Sequence, residues 1–194
     1  MTEQGIFQAA EAGKRFVDYT WDGIYCSDLT RAADTLTTFL KSARPSTVQP
    51  DIVYTKKLRE LNFGVREALP RGTTVKQAKE ILAKRANASI HDVIDTAERP
   101  EDVFRRQADF LQTLREDFSF IDCDSSKPTK VLCMTHGGFI KSLLRGHCKV
   151  QTPDKIKNCA VSIVSMQWDK SDIDKFNLTV DTKNINVVYE GSSV

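Results

Sequence analysis

Residues 131–138, VLCMTHGG, form a four-residue apolar run that ends in a histidine and two glycines. The run is bounded by turn-forming residues 125–128 on one side and by Gly137 and Gly138 on the other. Residues 131–134 therefore read as a buried strand, and 139–144, FIKSLL, as a helix. This order places His136 at the carboxyl end of a strand and just before a helix N-terminus, where α/β sheets hold their ligands. The free N–H groups of a helix start favour an anion, and glycines let an oxyanion approach the backbone. The alternative for the same segment is a strand–turn–helix with a satisfied histidine.

Residues 24–35, IYCSDLTRAADT, repeat the pattern: an apolar strand end, Ser27 as a helix N-cap, then a helix. Ala32, Ala33, Leu36, Phe39 and Leu40 supply its apolar face. Arg31 falls in the first turn, where the helix dipole disfavours a cation. Such an arginine either points to solvent or holds an anion at the strand ends. Two units of this kind, one offering Arg31 and the other His136 with the amide of Gly137, are the parts of a phosphate site.

Elsewhere the periodicity predicts an opening helix with Ile6, Ala9, Ala10, Gly13, Phe16 and Val17 on one face. A loop at 44–47 precedes a stretch at 51–58 that leads to the Phe63–Gly64 turn. A charged helix covers 75–85, and Pro100 opens another with Val103, Gln107, Phe110, Leu111, Leu114 and Phe118 along one side. Residues 160–168 and 176–181, joined by the polar loop 169–172, read as an antiparallel hairpin. Strands alternating with helices predict an α/β three-layer sandwich with a mostly parallel sheet, in a single domain over 1–194.

The chain has 194 residues, 40% of them hydrophobic, enough for one substantial core. Lysine and arginine total 28 against 26 acidic residues, a formal charge of +2, which gives no sign of a nucleic-acid or membrane surface. No apolar run reaches the roughly 20 residues of a membrane span, and the N-terminus lacks an apolar signal core. Cys26, Cys123, Cys133, Cys148 and Cys159 are scattered without metal-ligand spacing and fit the reduced thiols of a cytoplasmic protein. The Asn87–Ser89 glycosylation triplet is a chance match. Lys141, Arg145, Lys149, Lys155 and Lys157 read as a solvated basic face.

Four segments carry a resemblance. Residues 2–13 (TEQGIFQAAEAG), 27–31 (SDLTR), 58–67 (LRELNFGVRE) and 135–138 (THGG) are similar to successive motifs of the histidine phosphatase (phosphoglycerate mutase-like) superfamily. They occur in that family's order and cover most of the chain. Residues 158–164, NCAVSIV, followed by a terminal pair of strands, are similar to the ending of its fructose-2,6-bisphosphatases. The resemblance implies a phosphoglycerate mutase-like fold and a phosphorylated small-molecule substrate. Hydrolysis would proceed through a phosphohistidine without metal or organic cofactor. A phosphoglycerate mutase is the weaker reading within the enzymes.

It also implies roles. Arg31 and His136 clamp the phosphate with the amide of Gly137, the imidazole donating best as imidazolium. Glu67 is the general acid, although Ala68 stands where the family usually has glycine, and a surface glutamate is the alternative. Glu60 is the nearest competitor, but it lies before the glycine turn and matches no catalytic position. His91 reads as a surface residue, and His147 as a cation favoured at a helix C-terminus. The departure is at the front. The family's Arg-His-Gly motif, which carries the phosphorylated histidine, precedes the segment matching 2–13, and no such triplet occurs among the residues here. The expectation is a chain shortened at its N-terminus, lacking the first strand and the nucleophile. It would be inactive as written, either as an incomplete or spliced product or as a pseudophosphatase that binds phospholigands. Loss of a strand beside 131–134 would leave it marginal, molten or oligomeric.

Overall fold

The computed structural model describes residues 1–44, 48–67, 69–70, 72–118, 128–168 and 176–180. The chain divides into two compact units, Met1–Glu60 with Arg106–Val194, and Leu61–Arg105.

In the first unit, β1 (Gly23–Ser27) lies between β2 (Ile52–Thr55) and β3 (Val131–Met134), all parallel. The register sets Ile24 beside Ile52 and Leu132, and Cys26 beside Tyr54 and Met134. Successive strand residues face opposite sides, so the register decides which side chains share a layer. Ile24 and Cys26 pack on Ala32 and Leu36 of α2 (Thr30–Ala43), with Ile52, Leu132 and Met134 around them. Tyr25 faces the other way and meets Phe110 and Phe118 of α4 (Pro100–Phe118), with ring centroids 5.7 and 6.4 Å apart. Helices thus cover both faces of a parallel sheet, the α/β layering that the alternation of elements predicts.

Position in the sheet separates strands of similar composition. β1 is buried throughout because it has a partner on each edge and a helix on each face. β3, expected to be buried, is half-buried at all four residues, because its outer edge has no strand partner among the described residues.

α1 (Glu3–Lys14) starts at Thr2, whose hydroxyl accepts from Gly5 N–H at 3.1 Å, with Glu3 in its first turn and Lys14 in its last. Its buried face is Ala9, Ala12 and Gly13, whereas Ile6, Phe7 and Val17 are exposed. The small residues turn inward because α1 lies directly against α2. A Cβ on Gly13 would overlap the carbonyl oxygen of Phe39. Ser27 is not the cap of α2. Leu29 takes that position without a side-chain bond, and Ser27 closes β1 instead.

Further along this unit, α5 (Gly137–Gly146) follows β3. An antiparallel pair, β4 (Ser165–Trp168) and β5 (Phe176–Thr179), confirms the hairpin with shorter strands. The expected loop 169–172, the end of the second strand at residue 181, and Cys123 lie outside the described residues. So do residues 45–47 and 125–127 of the expected turns. Among the described residues no helix is long and apolar enough to cross a membrane.

The second unit holds α3 (Val75–Ala86), capped by a reciprocal Thr74–Gln77 box and ended by Asn87 in the left-handed conformation. Its loops close on Asp95, whose carboxylate accepts from Val65 and Ala97 N–H at 3.1 and 3.2 Å. Gly64 has φ +57°, and a Cβ there would strike both Asp95 and Ala97.

Gly13 allows two opposing effects to be weighed. Alanine gains about 0.5–1 kcal/mol of helix propensity over glycine. Here it must also displace the α2 backbone, and overpacking costs about 1–3 kcal/mol. Gly13→Ala is therefore expected to lower the melting temperature by several degrees. A melting curve at or above that of the parent chain would show that α1 does not pack on α2 this closely.

Candidate functional site

Because the three strands are parallel, their carboxyl ends lie along one edge, and each is followed by a segment carrying polar groups. β1 ends at Ser27 and leads through Asp28 and Leu29 to Arg31 in the first turn of α2. β2 leads through a 3₁₀ turn, Lys56–Leu58, to Arg59 and Glu60. β3 leads to Thr135 and to His136, the N-cap of α5.

These segments are tied together. His136 is 8% exposed, and its Nε2 lies 2.9 Å from Oγ of Ser27, which is fully buried. The Thr135 hydroxyl donates to Leu58 O at 2.7 Å. The Glu60 carboxylate accepts from the first free amides of α5, Gly138 N–H at 3.2 Å and Phe139 N–H at 3.1 Å. Arg59 grips Asp28 through two bonds of 2.6 Å. From α4, Arg106 donates to Lys57 O and Arg59 O at 3.0 and 2.9 Å, and Gln107 donates to Phe139 O at 3.0 Å.

Arg31 is exposed; its carbonyl accepts from the Thr35 hydroxyl at 2.7 Å, but its guanidinium has no hydrogen-bond or ion-pair partner among the described residues, and its charge is felt at His136. Burial lowers the imidazole pKa below its ordinary 6.5, Arg31 and Arg106 lower it further, and Glu60 opposes them. These surroundings favour the neutral imidazole over the imidazolium. Asp28 is held below the usual carboxylate range, chiefly by its bonds to Arg59.

His136 and Gly137 are consecutive at the start of α5, and Arg31 is near enough for its charge to act on the imidazole. Glu67 belongs to the second unit, where its carboxylate is exposed and accepts from Phe63 N–H at 2.9 Å. The carboxylate on the helix that follows His136 is Glu60. Its signal in the sequence is its place just after a strand of the same parallel sheet, which the motif spacing alone did not convey. Ser27 was also misread, since a residue with capping chemistry here serves a histidine more than 100 positions away in sequence.

Outside this cluster, His91 is exposed in a 3₁₀ turn of the second unit, and His147 follows α5. Lys141 and Arg145 are bonded to Asp154 O and the Thr152 hydroxyl. Burial raises the thiol pKa of Cys26 to about 11 and of Cys133 to about 12, so neither is an activated nucleophile.

A strand-end cluster of arginine, histidine and a helix start on a parallel sheet is the arrangement of an α/β protein with its polar groups gathered at the carboxyl edge. The family model of the histidine phosphatase superfamily (branch 1) matches residues 1–179, and the chain belongs to that superfamily. Its fold is similar to phosphoglycerate mutase from Bacillus anthracis, with a TM-score of 0.65 and 23% identity, covering 95% of this chain and 81% of that one. It is also similar to a mycobacterial hydrolase, with a TM-score of 0.72 and 20% identity over 99% and 82% of the two chains. A third similar structure is a mycobacterial glucosyl-3-phosphoglycerate phosphatase, with a TM-score of 0.63 and 21% identity over 95% and 87%. A comparison with curated protein sequences finds no match.

The lowered pKa of His136 has a stability consequence. A histidine whose folded-state value is depressed contributes stability that is full above its unfolded value. That stability is lost as pH falls from about 6.5 through the lower folded value. Thermal melts from about pH 7.5 to about pH 5 are expected to show this loss in the parent chain and a flatter profile in His136→Gln. The Asp28 contribution falls away only in the more acidic carboxylate range, so the two windows separate. An unchanged slope in His136→Gln would show that the ring is not held neutral in the fold.

Proposed function

We propose that this chain carries the phosphate-clamping half of a histidine phosphatase site, formed by Arg31, His136 and the Gly137 N–H. The observation that carries this reading is an unpaired guanidinium beside a buried histidine at a helix start. An arginine there holds two phosphate oxygens in its planar fork and stays charged at any working pH. The similar mycobacterial glucosyl-3-phosphoglycerate phosphatase is known in complexes with inorganic phosphate and with vanadate. The finer reading is a chain similar to the fructose-2,6-bisphosphatase TIGAR, whose substrate class is sugar bisphosphates; the ending at 158–164 supports it.

Family chemistry needs a histidine to attack phosphorus, and covalent catalysis then splits one hard displacement into two easier ones. The resemblance assigns His136 to the clamp. His91 and His147 are the remaining histidines, and neither sits in an anion-binding context. The 194 residues as written are therefore read as binding phosphate without turning it over. Purified, they are expected not to hydrolyse fructose-2,6-bisphosphate, 2,3-bisphosphoglycerate or p-nitrophenyl phosphate. Turnover well above a His136→Ala control would mean that another group attacks phosphorus. Vanadate is expected to bind weakly to the parent chain and at least about tenfold more weakly to Arg31→Ala, a loss of about 1.4 kcal/mol. Equal binding would show that Arg31 and His136 do not serve one ligand.

The second reading is a phospholigand-binding protein with no catalytic role, in which Arg31, Glu67 and His136 serve recognition alone. Adding a family-type segment that ends in Arg-His-Gly separates the two, because only the first predicts that activity returns. In such an extended chain we assign the proton-donor role to Glu60, since its carboxylate lies on the α5 start beside His136. Glu60→Gln should lower kcat by about 10²–10⁴ and Glu67→Gln should leave it nearly unchanged. The reverse result would return the role to Glu67.

A further inference from the structure

Ser27 has no exposed surface, and its hydroxyl has two described neighbours. Leu29 N–H donates to Oγ at 3.4 Å, and Nε2 of His136 lies 2.9 Å away. A serine hydroxyl has one proton to give. If Nε2 carried a hydrogen, the oxygen would receive two donors, and its own proton would have no acceptor among the described residues. That is an expensive state for a buried hydroxyl. The opposite arrangement satisfies every group: Ser27 donates to a bare Nε2, and the ring proton sits on Nδ1.

Nδ1 has no hydrogen-bond partner among the described residues. Yet no buried side-chain nitrogen or oxygen there lacks one. The small exposed part of His136 therefore includes Nδ1, the nitrogen a ligand can reach.

We propose that Ser27 is a positioning residue that holds His136 as the neutral Nδ1–H tautomer, so that the clamp meets a phosphate oxygen through Nδ1–H. The proposal rests on the phosphate reading above and says which atom and which protonation state perform it. The charged groups around the ring are Arg31 from α2, Arg106 from α4 and Glu60 after β2. Two cations against one carboxylate, together with burial, favour the neutral ring that the Ser27 bond requires. The same pair is not a nucleophile and its base, because a hydroxyl with no exposed surface offers phosphorus no approach.

The test is nitrogen-15 NMR of the full chain labelled at histidine, with the His136 signals assigned by their loss in His136→Gln. The parent chain is expected to show the Nδ1-protonated neutral tautomer. Ser27→Ala is expected to move the ring toward the tautomer mixture of a free side chain and to weaken vanadate binding by about fivefold to tenfold. A parent ring protonated at Nε2, or a tautomer unchanged in Ser27→Ala, overturns the proposal. If Ser27→Ala fails to fold, the parent spectrum alone decides. Signals of His136 that ignore vanadate in the parent chain overturn the phosphate reading and the ligand half of this proposal, whereas the tautomer is read without any ligand.

Discussion

The common direction of β2, β1 and β3 is the constraint on which the rest of this site depends. Parallel strands share a carboxyl edge, so whatever follows each of them arrives in the same place. Here that edge receives Glu60 after β2, Ser27 and Arg31 at the end of β1, and His136 after β3. An antiparallel partner on either side of β1 would have delivered its following loop to the opposite edge. The helices that make parallel connection possible also cover both faces, which is why β1 and the residues at its end are removed from water.

Polar ties then fix the edge. Thr135 and Arg106 occupy the backbone carbonyls of Leu58, Lys57 and Arg59, and Glu60 fills the Gly138 and Phe139 amides of α5. Hydrogen bonds of this kind contribute about 0.5–1.5 kcal/mol net, but leaving the same groups buried and unpaired would cost more. Their effect on chemistry is selective. The Arg59 charge is taken up by Asp28, and Arg106 is engaged with carbonyls. The Arg31 guanidinium has no partner among the described residues, which is what the proposed phosphate clamp requires.

Much of this was legible in advance. Short apolar runs ending in glycine or serine located β1 and β3, and the helical periodicity of 75–85 and of 100–118 located α3 and α4. Four motifs in family order pointed to the superfamily. The failures share a cause. Ser27 has the chemistry of a helix cap, and only the pairing of β1 with β3 shows that a buried histidine takes its hydroxyl. The apolar side of α1 reads as Ile6 through Val17, but the contact with α2 at Gly13 selects the small residues for burial. Residues 131–134 read as buried because their composition is apolar, whereas burial of a strand depends on what lies beside it.

By itself the sequence determined the elements, their alternation and the residue types able to hold a phosphate, because these depend on local periodicity, turn chemistry and the donors each side chain carries. Tertiary structure decided which of those residues meet. It chose Glu60 for the start of α5, joined Ser27 to His136 and lowered the pKa of the imidazole. Those outcomes depend on strand order and on burial, quantities that belong to no single segment of the chain.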